Sequence, residues 1–141
     1  MSVPKAHILV VDDDASTRFV LSRILEGLGY HVRVAEDGVE VPEMIAKERF
    51  DLLVIDLYMP GMNGFELLRQ IRKPQAGLLP APRTPSDVPI VVVSGECAPD
   101  SIANVKSLGA DRHIPKPVDL HRFEGEIRAA LRAHREKARS S

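Results

Sequence analysis

Apolar and polar positions alternate along this chain in blocks rather than residue by residue. His7-Ile8-Leu9-Val10-Val11-Asp12 is an apolar run rich in β-branched residues and closed by acids, the pattern of a strand buried on both faces. From Ser16 to Leu28 the apolar residues fall at 20, 21, 24, 25 and 28, one face of a helix, and Gly29 is a natural stop. His31 to Ala35 predicts a second strand, and Asp37-Gly38 a turn before a short helix ending near Arg49. Pro42 lacks an N–H and clashes with a preceding turn, so that helix is expected to start late, with Pro42 in its first turn, or to kink there. Asp51-Leu52-Leu53-Val54-Ile55-Asp56 predicts a third strand, again closed by an acid.

Pro60, Gly61, Asn63 and Gly64 mark a loop ahead of a helix over roughly 65–72. Pro74 to Pro89 holds five of the eleven prolines and reads as an extended surface connection, long for a compact domain. Ile90 to Val93 predicts a fourth strand, and Pro99 opens a helix that Gly109 stops. Asp111 to Ile114 is a weak fifth strand, and Asp119 caps a last helix whose apolar face is 120, 123, 127 and 131. Five strand–helix units predict βαβ crossovers, a mostly parallel sheet and helices on both faces.

Composition narrows the function classes. At 141 residues the expectation is a single domain over 1–141, with a core from about 6 to 131 and a basic helix end or linker over 132–141. The formal net charge of −1 gives no general reason to expect a nucleic acid or membrane partner. A single cysteine, Cys97, excludes an internal disulfide and favours a reducing compartment, and no segment has the pattern of a signal peptide or a membrane span. A cytoplasmic location is the expectation.

Candidate chemistry follows from the topology, because an open parallel sheet gathers ligands at the carboxyl ends of its strands. The first strand delivers Asp12, Asp13 and Asp14, the third Asp56, the fourth Ser94 and the fifth Lys116. Crowded carboxylates repel and need compensation to stay ionised, which a hard divalent cation such as magnesium supplies. Such a site also takes a phosphoryl oxygen, with Lys116 as a further point charge and Ser94 as a hydrogen-bond partner. Asp56, alone on its strand, is the expected nucleophile, leaving the adjacent acids for the metal. Each signal alone has a plainer reading: acids after a strand commonly cap the next helix, and a lysine between prolines is commonly solvated.

Four segments together resemble the receiver domain of two-component response regulators: Val10-Val11-Asp12-Asp13, Val54-Ile55-Asp56-Leu57-Tyr58-Met59-Pro60-Gly61-Met62-Asn63-Gly64, Val92-Val93-Ser94-Gly95 and Ile114-Pro115-Lys116-Pro117. The resemblance runs from about Ala6 to Leu131. It implies a flavodoxin-like, doubly wound α/β fold with five parallel strands in the order 2-1-3-4-5 and about five helices. It implies Asp56 as phosphoacceptor, Asp13 as direct metal ligand, Asp12 acting largely through water, and the Tyr58 backbone carbonyl as a further ligand. The cofactor implied is Mg2+, with Mn2+ able to substitute. Lys116 would contact the phosphoryl group, Ser94 would be the switch hydroxyl, and the Lys116–Pro117 bond would be cis. Tyr58 and Glu96 would tune how fast phosphate is lost.

The implied donor is a sensor histidine kinase or a histidine phosphotransfer protein. The output would be an unidentified protein target, with no direct nucleic acid contact and no membrane. A homodimer through the fourth helix, fifth strand and fifth helix is compatible with the resemblance. The chain would be a regulatory phosphoacceptor rather than an enzyme. Three features depart from the pattern: His113 stands where an aromatic switch residue is usual, Asn63-Gly64 replaces Asp-Gly, and the Pro74–Pro89 connection is long. Two alternatives compete with this reading. One is a haloacid-dehalogenase-like phosphatase with Asp12 as nucleophile, from Asp12-Asp13-Asp14 after an apolar strand. The other is a receiver-like docking module that is never phosphorylated.

Overall fold

The central strands are apolar apart from His7 at the start of β1 and the polar residues Asp56 and Ser94 that close β3 and β4, and alternation sends their side chains to opposite faces of the sheet. The computed structural model describes residues 5–59, 64–73, 82–95 and 99–140. Its elements are β1 (His7–Val11), α1 (Ala15–Gly27), β2 (His31–Ala35), α2 (Val41–Lys47), β3 (Leu52–Asp56), α3 (Gly64–Arg72), β4 (Ile90–Ser94), α4 (Pro99–Ser107), β5 (Arg112–Pro115) and α5 (Leu120–Ser140). The five strands are parallel in the order β2-β1-β3-β4-β5. One face carries Leu9, Val11, Leu53, Ile55, Ile90 and Val92 into a core closed by Val41, Ile45, Leu67, Leu68, Ile71 and Val105 of α2, α3 and α4. The other carries Ile8, Val10, Leu52, Val54, Val91 and Val93 against Leu21 and Leu25 of α1 and Phe123 and Ile127 of α5. Each such fully buried side chain contributes about 1.5–3 kcal/mol.

Local chemistry sets the element ends. Asp14 caps α1, and Gly29 follows it with φ +97°, a conformation that favours glycine. Pro42 lies in the first turn of α2, the late start being the one of the two expectations that holds. Gly64 begins α3 where the chain doubles back onto the exit of β3; its N–H donates to the Leu57 carbonyl at 2.7 Å, and a Cβ would stand 2.6 Å from the Leu57 Cα.

Three expectations are corrected. Leu120 is 53% exposed and Val20 45%, so neither belongs to the buried face assigned to its helix; Ala130 joins 123, 127 and 131 on α5 instead. In line with the helix-end form of the expectation for 132–141, α5 continues to Ser140. The Pro74–Pro89 connection is not simply a surface strap. Residues 74–81 lie outside the described residues, but 82–89 are docked: the Thr84 hydroxyl, 3% exposed, donates to the Glu48 carbonyl at 2.6 Å and accepts from the Phe50 N–H at 2.9 Å. The Arg72 guanidinium donates to the Ser86 and Val88 carbonyls and across to the Gly109 carbonyl and Asp111. Arg72 thus satisfies two carbonyls of this segment, and the Thr84 hydroxyl satisfies a carbonyl and an N–H of the turn between α2 and β3. Among the described residues no helix is long and apolar enough to cross a membrane.

Candidate functional site

Register alone brings the acids together. Val11 lies beside Ile55 across the β1–β3 seam, so the next residue on each strand, Asp12 and Asp56, are neighbours. Asp12 is 1% and Asp56 5% exposed, while Asp13 is exposed on the rim. One carboxylate oxygen from each of the three lies within 4.8 Å of the others. Lys116, just past β5, reaches across β4 and places Nζ 3.1 Å from Asp12 Oδ2 and 3.2 Å from Asp56 Oδ2. Its own N–H donates to the Ser94 carbonyl at 3.0 Å, and the Lys116–Pro117 bond is cis.

The other expected residues fall around this centre. Ser94 ends β4 and is fully buried. The Tyr58 N–H donates to Asp56 Oδ1 at 3.2 Å, while its side chain is half exposed and meets Phe65 edge-on at 6.4 Å. His113 sits in β5 opposite Val92, three residues before Lys116, and is half-buried. Glu96 and Cys97 lie outside the described residues. Asp14 takes the plainer role: its carboxylate accepts from the Ser16 N–H and from the Thr17 hydroxyl at 2.7 Å, and that hydroxyl holds its pKa below the usual value.

Burial pushes the Asp56 carboxyl above its ordinary pKa; the Tyr58 N–H and Lys116 pull the other way, and Asp12 adds to the rise. Burial pulls the Lys116 ammonium down, but the bond to Asp12 and the charges of Asp12 and Asp56 outweigh it, so its pKa is raised. The residues present fit a hard divalent cation: three converging carboxylates, with burial disfavouring the ionised form of one of them, leave an anionic centre that Lys116 alone does not fully offset. With such a cation bound, the site and the Lys116 ammonium would suit a phosphoryl oxygen.

Sequence reasoning passed over Arg18, Arg72 and Thr84. Arg18 carried a signal, since positions 18, 21, 25 and 28 share a helix face and a charge on an apolar stripe calls for a reason. Thr84 and Arg72 carried none, because their partners lie on segments distant in the chain.

The comparisons agree with this geometry. Residues 8–128 match the response regulator receiver domain family. The chain is 40% identical over 127 residues to the response regulator MprA of Mycobacterium leprae and 41% identical over 127 to that of Mycobacterium ulcerans, covering 89% of this chain in each case. It spans about half the length of these curated relatives, 51% and 50%. A CheY-like receiver domain protein from Methanospirillum hungatei superposes with a TM-score of 0.82 at 28% identity, covering 94% of this chain and 98% of that one. The chemotaxis protein CheY4 of Vibrio cholerae gives 0.77 at 29% identity, covering 89% and 98%. The family match displaces the haloacid-dehalogenase-like alternative. With the acids, the lysine and the strand order all in place, the chain belongs to the response regulator receiver domain family.

Proposed function

We propose that this chain takes a phosphoryl group onto Asp56 from a phosphohistidine donor, a sensor histidine kinase or a histidine phosphotransfer protein. The observation that carries this reading is the Lys116 ammonium shared between Asp12 and Asp56, with Asp13 converging on the same space. An Asp56 oxygen attacks phosphorus in line; the N–P bond of the donor breaks, and its electron pair returns to the imidazole nitrogen. The Tyr58 N–H and Lys116 hold the Asp56 carboxylate ionised and oriented against the pull of burial. Asp12, Asp13, Asp56 and the Tyr58 carbonyl would hold Mg2+, with Mn2+ able to substitute, and the bound ion would supply positive charge to the transferring oxygens. Water later attacks phosphorus, returning Asp56 as a carboxylate and releasing inorganic phosphate. As the family resemblance implies, Tyr58 and Glu96 tune how fast the phosphoryl group is lost.

Ser94 follows the new phosphoryl group. It ends β4 beside Pro115 of β5, and its carbonyl is tied to the Lys116 N–H, so its displacement is passed to the segment after β4 and to His113. The outcome is a population shift between two packings of the α4-β5-α5 surface, which an unidentified protein target, or a second copy of the chain, reads. The protein acts in the cytoplasm as a regulatory phosphoacceptor rather than an enzyme.

Incubation with acetyl phosphate and Mg2+, followed by intact-protein mass spectrometry, tests the assignment. One phosphoryl adduct on the wild type and none on Asp56→Asn is expected. An adduct that persists in Asp56→Asn, or a wild type that takes none, would refute it, the second result favouring a docking module.

A further inference from the structure

Four polar groups of Asp12 are fixed, and three of them by neighbours already met. Its N–H donates to the Ala35 carbonyl at 3.2 Å, its Oδ1 accepts from the Asp14 N–H at 2.9 Å, and its Oδ2 accepts from Lys116. The fourth, its carbonyl oxygen, accepts from Arg18 Nη1 at 2.7 Å. Arg18 comes from the second turn of α1 and lies on the same stripe as the buried Leu21 and Leu25, with only 15% of its side chain exposed. Its other terminal nitrogen stands 3.9 Å from Glu36 Oε1, at the exit of β2. That partner is 80% exposed, so the second contact is screened and weak. The short bond to the carbonyl is the better-made one, from a charged donor in a shielded place.

The geometry of a peptide unit gives this bond its reach. The Asp12 carbonyl belongs to the planar group joining Asp12 to Asp13, so fixing its direction fixes the position of the Asp13 Cα. Asp13 is the exposed member of the acid cluster and has the most freedom to turn away from Asp56. We infer that Arg18 is a positioning residue for the acid cluster: by clamping the Asp12–Asp13 peptide it keeps Asp13 converged with Asp12 and Asp56 on one cation. This rests on the metal-assisted reading above and adds to it a residue that touches no cluster carboxylate. Groups that orient metal ligands from outside typically change metal affinity by about 10–100-fold when removed.

Isothermal titration of Mg2+ into the unphosphorylated chain tests this, with Arg23→Ala as the control. Arg23 removes the same charge from the same helix, but its guanidinium lies over the exposed Phe19 ring, 5.9 Å from the centroid. At physiological ionic strength, Arg18→Ala is expected to weaken Mg2+ about tenfold, while Arg18→Lys, which retains a donor, recovers most of the loss and Arg23→Ala equals wild type. Cooperative urea transitions establish that each variant is folded, and if Arg18→Ala is not, Arg18→Gln is read in its place. Unchanged affinity in Arg18→Ala, no recovery in Arg18→Lys, or an equal loss in Arg23→Ala would each overturn the inference. A wild type that binds no Mg2+ would instead take down the metal reading itself, and this inference with it.

Discussion

Replacing Asp56 by asparagine should stabilise the fold when no divalent ion is present. The side chain keeps its shape but loses a charge that the surroundings tolerate poorly. At an effective dielectric constant of about 20, Lys116 at 3.2 Å favours the Asp56 charge by about 5 kcal/mol, and Asp12, within 4.8 Å, opposes it by about 3.5 kcal/mol. The exposed Asp13 adds a smaller, screened repulsion. Withdrawing a carboxylate from water costs several kcal/mol more, which turns the balance against the ionised form. The raised pKa of Asp56 has that sign.

A carboxyl raised on folding contributes stability in full below its unfolded value, about 3.9, and loses it as pH rises through the folded value. At neutral pH the wild type therefore carries the whole penalty. Asp56→Asn is expected to be more stable than wild type in urea denaturation at pH 7.5 with EDTA, an advantage that shrinks towards zero as pH approaches about 4. Adding Mg2+ to ten times its dissociation constant should stabilise the wild type by about 1.4 kcal/mol and the variant by much less. A variant less stable than wild type in EDTA, or stabilised equally by Mg2+, would refute the claim that the cluster is an under-compensated cation site.

Two further outcomes follow from the same structure. Thr84→Val leaves the Glu48 carbonyl and the Phe50 N–H without their hydroxyl partner and should cost about 2–4 kcal/mol in urea denaturation; a loss under about 0.5 kcal/mol, the scale of ordinary surface changes, would mean that the loop is not docked through it. Tyr58→Ala should hasten loss of the acyl phosphate, followed as the disappearance of the Asp56 adduct with time, because it removes the half-exposed ring of the residue whose N–H bonds Asp56; an unchanged decay rate would remove Tyr58 from the proposed tuning role.

The parallel sheet was legible because its signal is physical and local: a β-branched apolar run such as Ile8 to Val11 has few other places to go. The convergence of Asp12, Asp56 and Lys116 was legible because strand ends in a parallel sheet share one edge. Other features depended on information that no run of residues carries. Leu120 and Val20 sit at the fringe of their apolar stripes, where a helix turn of a few tens of degrees decides exposure. Thr84 looks like any polar loop residue until the end of α2 and the start of β3 come within reach of its hydroxyl. Asp14 and Asp13 are identical in type and adjacent, yet one caps a helix and the other joins the cluster. Only the direction of the backbone separates them.

The Arg72 guanidinium has a mechanical consequence. It fastens the exit of α3, the approach to β4 and the corner between α4 and β5 at the edge of the sheet remote from the acids. Any displacement of α4 driven by Ser94 as proposed above would therefore be resisted at the helix's C-terminal end, next to Gly109, and would be larger at its start, Pro99.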